Sequence, residues 1–417
     1  MSESRTEPNK SPPAGRLAKG ALVAFLANLA AGTAAWAVIA LSPGTRGLMA
    51  WVPAYALYFA MLPATALVPA LAFASALILR NLRRARVPPE SRRPAQAGKA
   101  FRRLEGAFNG IALAAGALLT AAILAFLAWF LIGTQRVSPR PAPPFLAEGA
   151  ADRPLQRLAF SSDPHFGAET RNPEATNGIL SAIDRGNYDG FFVLGDLSET
   201  GFPGTGLEEA AEALARYLPD TPVATLEGNH DYLIGGSARY RKIFKRPPYW
   251  RMDSGSVHII ALDLPWGTER FTREQRAFLE RTLASVKRED FTVVVSHCFF
   301  WSSGYVDPGT GKPWYDQADT IAEVSPILAA GGVDLVISGH NHYMEYLEAD
   351  GMAFAVIGAM GGAPDPIPTH VSPASRWFNQ GTFGYLDLDL SATVPTLTFR
   401  DRTGEALYRA ELAPSPR

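Results

Sequence analysis

Three stretches of mostly apolar sequence without an interior charge occupy the first third of this chain of 417 residues, at 20–41, about 55–79 and about 108–132. Each supplies roughly twenty residues, the length a helix needs to cross a bilayer core. Helices buried in a large soluble domain are usually shorter and carry a polar face, so three spanning helices are the expectation. The middle stretch is part of one apolar run from 48 to 79 broken by Pro53, Pro63 and Pro69, a pattern that a re-entrant pair of short helices would also produce.

Charge speaks for simple spans. Arg80, Arg83, Arg84, Arg86, Arg92, Arg93, Lys99, Arg102 and Arg103 crowd the loop at 80–107, and Arg5, Lys10, Arg16 and Lys19 mark the tail at 1–19. Basic segments stay in the cytoplasm, and these two share a side only if an even number of spans separates them. Counting the long run once gives two, so the third span delivers everything after Ile132 to the extracytoplasmic side. A signal peptide cleaved after Ala35-Trp36-Ala37 is the competing reading, but the apolar run continues past that site to Leu41. Either way the later part of the chain ends outside. The arginine-rich loop would also suit anionic lipid head groups, although setting topology is its simpler role.

The chain has 39 Lys and Arg against 40 Asp and Glu, a net charge of −1, so no nucleic-acid footprint is expected. A single cysteine, Cys298, excludes an intramolecular disulfide. An exported domain must then rely on its own core, and residues 155–417 are ample for one. Between the membrane region at 20–132 and that domain, residues 133–154 carry Pro139, Pro141, Pro143 and Pro144 and read as an extended spacer. Abundant Ala, Arg, Pro and Gly suggest a bacterial source with GC-rich coding, which makes the bacterial inner membrane, with the domain in the periplasm, the expected location.

Beyond the spacer, short apolar runs alternate with turn residues and helical patterns. Residues 158–161, 191–194, 223–226, 257–262, 291–295 and 333–337 read as buried strands, with further strands at 354–357, 385–390 and 396–399. Residues 207–218 and 271–286 read as amphipathic helices, the second opened by Thr272 and Gln275 in the spacing of a capping box.

No histidine occurs in the first 150 residues, and five of the seven fall in four short segments: Asp163-Pro164-His165, Gly228-Asn229-His230-Asp231, Ser296-His297 and Gly339-His340-Asn341-His342. With Gly195-Asp196 they supply the hard carboxylate and imidazole donors that a pair of divalent cations needs. Asp163, His165, Asp196, Asn229, His297 and His340 each come just after an apolar run, and open α/β sheets place ligand sites at the carboxyl ends of strands. Residues two apart in an extended segment point the same way, so Asp163 and His165 are expected to share one metal. A tight turn at Gly339 would present His340 and His342 to neighbouring metals.

In this order and at these strand ends, D-x-H, GD, GNHD, H and GHxH resemble the calcineurin-like metallophosphoesterase family, over roughly 155–400 and none of the membrane region. The resemblance implies an α/β fold, a four-layer α/β/β/α sandwich of two mixed sheets flanked by helices, here preceded by an all-α membrane region of about three transmembrane helices. It implies that Asp163, His165 and His342 bind one metal, that Asn229, His297 and His340 bind a second, and that Asp196 bridges them. The cofactors would be two divalent metal ions, Mn, Fe, Zn or Mg, whose bridging hydroxide attacks a phosphomonoester, phosphodiester or pyrophosphate bond. His230 is the family's non-ligand histidine, placed to steady the transition state and protonate the departing oxygen, with Asp231 orienting its ring. The implied partner is a phosphorylated substrate, and tethering to the lipid bilayer modestly favours a lipid-linked one.

Other conspicuous residues read more plainly. His258, in a strand, and His370, in a Pro-rich loop, suit packing or surface roles. Glu199 suits a solvated loop as well as contact with a ligand. A purple acid phosphatase would carry tyrosine there and a different first motif, so the iron charge-transfer chemistry of that relative is not expected. Cys298 reads as a small buried filler. The stretch 298–317 holds Phe299, Phe300, Trp301, Tyr305, Trp314 and Tyr315, which would line a pocket for a base, sugar or acyl chain, meet the membrane, or pack the loop onto the domain. Gly358, Gly361 and Gly362 mark a tight loop that would approach the site. The contrasting class is a non-catalytic membrane sensor or scaffold that retains the fold; intact candidates for all seven ligands and His230 argue against it.

Overall fold

The computed structural model describes residues 14–41, 54–86, 95–133, 137, 141–147, 149–150, 154–202, 206–308 and 311–412. Arg5, Lys10, Pro53, Arg92, Arg93 and Pro139 of the sequence reading lie outside these. Two compact units meet in the chain at Ile132 and Gly133.

The first unit is helical, with α1 (Ala14–Ala40), α2 (Ala54–Ala64), α3 (Leu67–Arg86) and α4 (Ala95–Gly133). Among the described residues three segments are long and apolar enough to cross a membrane, Arg16–Ala40, Leu57–Ala85 and Gly98–Gly133, which mark the chain as a membrane protein. The second segment runs through α2 and α3. Pro63 interrupts its ladder, yet Thr65 N still donates to Met61 O and Ala70 N to Ala66 O, so the run continues through a proline break and does not turn back as a re-entrant hairpin.

Small residues set the packing of these helices. A Cβ on Gly32 would lie 2.5 Å from Leu62 O, and one on Gly116 would lie 2.9 Å from Ala24. Asn28, buried in α1, accepts from Thr65 Oγ1 at 3.3 Å. The pairs 28/65 and 32/62 run in opposite senses, whereas 20/113 and 24/116 rise together. Thus α1 is antiparallel to the second segment and parallel to α4, held by close backbone approach and an interhelical hydrogen bond. Arg83 and Glu105, 3.2 Å apart, tie α3 to α4.

Among the described residues the second unit contains sixteen strands: β1 (Gly149–Ala150), β2 (Arg157–Ser161), β3 (Gly190–Val193), β4 (Val223–Thr225), β5 (Trp250–Ser254), β6 (Val257–Ala261), β7 (Phe291–Val295), β8 (Tyr305–Val306), β9 (Pro313–Trp314), β10 (Leu335–Ser338), β11 (Met344–Ala349), β12 (Met352–Ile357), β13 (Ser375–Asn379), β14 (Gly384–Asp389), β15 (Thr396–Asp401) and β16 (Ala406–Glu411). Its helices are α5 (Pro173–Arg185), α6 (Leu207–Tyr217), α7 (Gly236–Phe244), α8 (Arg273–Ser285), α9 (Ala318–Glu323) and α10 (Ser325–Ala330). One sheet has the order β1-β5-β6-β7-β10-β12-β11-β13, the other β16-β15-β14-β2-β3-β4, and β8 pairs with β9.

The period of two along each strand divides the buried residues into three cores and so makes four layers. Leu158, Phe160, Phe192, Val293, Val295, Leu335 and Ile337 face a core between the sheets. Ala159, Phe191 and Val193 turn the other way onto Ile179, Ile183 and Leu214 of α5 and α6. Val294 and Val336 turn onto Leu279, Leu283 and Leu328 of α8 and α10. Burial on both faces is why these strands read as unbroken apolar runs. The parallel sets β2-β3-β4 and β6-β7-β10-β12 aim their carboxyl ends at one region.

The segment at 133–154 supplies parts of this unit as well as a connection. Phe145 bridges Val223, Leu146 is buried, and β1 pairs with β5. The capping box expected at α8 closes on one side only. Thr272 accepts from Gln275 N at 3.2 Å, but Gln275 Oε1 accepts instead from Asp263 N at 2.7 Å.

Candidate metal centre

Each candidate ligand sits on a loop leaving the carboxyl end of a parallel strand: Asp163 and His165 after β2, Asp196 after β3, Asn229 after β4, His297 after β7, and His340 and His342 after β10. The local backbone is not extended as the spacing of Asp163 and His165 suggests. Asp163 (φ 62°), His165 (46°), Asp196 (47°) and His340 (71°) are all left-handed. Such residues cost about 1–3 kcal/mol each and persist where surrounding structure over-determines them. Close approach does so here: a Cβ on Gly228 would fall 2.2 Å from Asp196 Oδ1, and one on Gly362 would fall 2.7 Å from His342 Cε1.

The donors form two sets. In the first, His342 Nε2 lies 3.4 Å and His165 Nε2 3.8 Å from Asp163 Oδ1, and the two nitrogens are 3.2 Å apart. In the second, Asn229 Oδ1 lies 2.8 Å from His297 Nε2 and 2.7 Å from His340 Nδ1, with those nitrogens 3.2 Å apart. Asp196 Oδ2 stands between the sets, 3.6 Å from His165 Nε2 and 3.4 Å from His297 Nε2. All seven residues are brought to one place, and six of them are buried.

Hydrogen bonding shows that these donors fit cations. His165 Nδ1 pairs with Glu199 Oε2 at 2.9 Å, His297 Nδ1 with Leu194 O at 2.8 Å, and His342 Nδ1 with Ala363 O. Each partner engages Nδ1 and so turns Nε2 toward the centre, the usual way a metal-binding histidine is oriented. Ring nitrogens this close to one another need a proton or a cation between them. Asp163 Oδ1 is buried without a hydrogen-bond partner, as a carboxylate oxygen reserved for a cation would be.

Electrostatics agrees. Burial opposes ionisation of Asp163 and Asp196, but the surrounding imidazoles, His297 foremost, hold both carboxyls well below the usual range. Burial pulls His297 down, yet Asp196 and Asp163 outweigh it and hold the imidazole at about 9. His340, buried beside His297, is pushed down to about 3. The carboxylates thus draw positive charge into the cluster wherever it can be supplied. A mixed oxygen and nitrogen donor set suits two divalent ions.

His230 lies beside this cluster with Nδ1 committed to Glu199 O at 2.7 Å, and its Nε2 is 4.0 Å from Asp196 Oδ2. Burial lowers its pKa. Asp231, expected to orient the ring, does something else. Its carboxylate accepts from Leu197 N, Ser198 N, Ser198 Oγ and Gly228 N at 2.8–3.1 Å and so fixes the loops carrying Asp196 and Asn229. Ring orientation comes from the Glu199 carbonyl. Glu199 therefore serves both His165, through its carboxylate, and His230, through its backbone.

His258 is clasped between Asp253 (2.6 Å) and Asp290 (3.0 Å), while His370 stacks on Tyr315 and pairs with Asp316. Cys298 is fully buried, which raises its thiol pKa well above the ordinary value. Gly362 does reach the site, through the contacts already described. The aromatic stretch divides: Phe299 and Phe300 are buried, whereas Trp314 is partly exposed and packs on His340 at 4.7 Å. Trp266 also approaches His340, at 6.0 Å, and sequence reasoning missed it.

This fold and this pair of donor sets define a two-metal phosphoesterase. Residues 156–344 match the family model described as calcineurin-like phosphoesterase, and this part of the chain is a member of that metallophosphoesterase family. Tartrate-resistant acid phosphatase type 5 of Mus musculus is 25% identical over 328 residues, covering 69% of this chain and 96% of that protein. Purple acid phosphatase 18 of Arabidopsis thaliana is 23% identical over 52% of this chain and 54% of that protein. The solved purple acid phosphatase PPD1 from yellow lupin seeds shares the fold, with a TM-score of 0.53 and 17% identity over 63% of this chain and 54% of its own. The chain is a metal-dependent phosphoric ester hydrolase with a site for two metal ions.

Proposed function

We propose that this enzyme hydrolyses a phosphomonoester outside the cytoplasm while anchored in a bacterial inner membrane. In this reading residues 1–19 form a cytoplasmic tail, 20–132 the membrane region, 133–154 the connection and 155–417 the catalytic domain. Asp163, His165 and His342 hold one ion, Asn229, His297 and His340 the other, and Asp196 both. The observation that carries the reading is Asp196 Oδ2 standing within 3.6 Å of a nitrogen from each donor set. The acid phosphatase relatives support a monoester as substrate. The antiparallel then parallel run of the membrane segments, with Arg16 and Lys19 before the first and Arg80, Arg83 and Arg84 after the second, supports the orientation. Anchoring also puts a lipid-linked phosphate within reach.

Divalent ions held there supply Lewis acidity toward phosphoryl oxygens and acidify water. The protein's own residues do the rest. Glu199 holds His165 through Nδ1 and, through its carbonyl, keeps the Nδ1 proton of His230 in place. Nε2 is then the nitrogen from which His230, in its imidazolium form, would give a proton to the departing oxygen. Asp231 keeps the Asp196 and Asn229 loops in register.

Assay of the purified full-length protein with manganese against a phosphomonoester, a phosphodiester and a pyrophosphate tests the proposal. Phosphate release from the monoester is expected. Turnover confined to the diester or pyrophosphate would reassign the bond, and bound metal without turnover of any of them would favour the sensor or scaffold.

A further inference from the structure

We propose that a corner formed by Trp266 and Trp314 beside His340 receives the leaving group of the substrate, and that this group carries a planar ring, an aryl group or a nucleobase. The proposal rests on the phosphoesterase reading of the metal centre and narrows its substrate class.

The corner adjoins the donor sets directly. His340 turns Nδ1 toward Asn229 Oδ1 at 2.7 Å, and the same imidazole packs on Trp314 at 4.7 Å and on Trp266 at 6.0 Å. One ring therefore separates the indoles from the candidate ligand atoms, a reach that suits a group joined through the ester oxygen. The two indoles stand 6.3 Å apart at 80°. A flat ring entering such a corner can stack, offset, on one indole and meet the other edge to face, the two geometries that aromatic pairs favour. An aliphatic chain gains only area burial there.

Exposure separates these indoles from packing aromatics. Phe299, which also touches His340, is 2% exposed, and Phe300 is fully buried, whereas Trp266 and Trp314 keep surface open to solvent. Arg270, four residues beyond Trp266 in sequence, lies over the Tyr232 ring and pairs with Glu227 at 2.9 Å and Asp263 at 2.8 Å.

The corner is also rigid. Gln317 Nε2 donates to Trp266 O at 2.7 Å, joining the loop after β6 to the link between β9 and α9. Asn341, between His340 and His342, donates to Ser302 Oγ at 2.9 Å and Ser303 O at 3.2 Å. Buried Glu345 accepts from Ser303 N at 2.8 Å and Ser303 Oγ at 2.6 Å. Gly304 lets the Trp314 backbone close in, since a Cβ there would fall on Trp314 O. A pre-set aromatic surface binds without the cost of ordering it.

Calorimetric titration of the full-length manganese-loaded protein with inorganic phosphate, phenylphosphonate, a nucleoside 5′-phosphonate and butylphosphonate tests this, because none of these ligands is turned over. One of the two ring-bearing phosphonates should bind about tenfold more tightly than butylphosphonate, and which one does so distinguishes aryl from nucleobase. Trp266→Ala and Trp314→Ala should each bring the ratio of ring to butyl affinity toward one. Equal affinities in the wild type, tighter butylphosphonate binding as for a lipid chain, or variants that keep the wild-type ratio would overturn the proposal. Phosphate binding without ring preference removes the corner alone, whereas failure to bind phosphate removes the metal-centre reading with it.

Discussion

At the scale of single residues, the site is built from side chains whose ordinary behaviour has been suppressed by neighbours. Four of the candidate ligands adopt left-handed backbone, and three imidazoles have Nδ1 tied to a carboxylate or carbonyl so that Nε2 faces inward. Asp196, shared by both donor sets, should therefore matter to both: Asp196→Asn is expected to deplete two ions, and His342→Ala chiefly one, by elemental analysis. His230 makes a different claim. If it protonates the leaving oxygen, His230→Ala should barely slow an ester of a good phenolate leaving group but slow an alkyl ester roughly a hundredfold to ten-thousandfold, with metal content retained. Equal loss on both esters would point to stabilisation of the phosphoryl charge. Six of the seven candidate ligands stood out in sequence as polar residues just after an apolar run, whereas their grouping into two sets came from the family resemblance. The role of Asp231 was not legible, since adjacency to His230 says nothing of where its carboxylate points. Trp266 was missed because a lone indole in a loop at 262–272 carries no pattern; only folding sets it beside His340.

At the scale of elements, loops from different strands are locked together by buried polar groups. Arg270, on the loop after β6, pairs with Asp263 of that loop and with Glu227 on the loop after β4. Burial raises the Asp263 carboxyl to about 7, with Arg270 opposing and Glu227 adding to the rise. Because the folded pKa lies above the unfolded value near 4, the group stabilises fully below that value and loses its contribution as pH rises through about 7. Urea unfolding of the wild type should accordingly weaken across that window, and Asp263→Asn should flatten the slope; an unchanged slope would remove Asp263 from the account. The strands buried on both faces announced themselves as apolar runs, as did β12, β14 and β15. Strands β5, β11, β13 and β16 did not: WRMDS, MEYLEA, SRWFN and ALYRAE mix charge with apolar residues, and β13 and β16 are sheet edges with solvent on one side. Helix α5 had its signal in Asn172, which caps Ala175 N, followed by Pro173, but Gly178 weakens the pattern. That glycine lies against Arg402 O, where a Cβ would come within 3.1 Å.

At the scale of the whole molecule, the chain joins a membrane unit to a phosphoesterase unit, and the orientation proposed for it rests on charge. A reporter active only after export, fused after Arg417, should be active, whereas the same reporter near Arg92 should be silent. The reverse pattern would overturn the topology. The central claim is chemical: two ions held by shared donors make this chain a phosphoric ester hydrolase. Manganese titration of the metal-stripped full-length protein, with bound metal and phosphate release from a monoester followed together, tests it most directly. Activity should appear as occupancy approaches two ions per chain and should vanish when chelation returns the protein to the stripped state. Full turnover in the stripped protein, or saturation with fewer than about one ion per chain and no turnover, would contradict it.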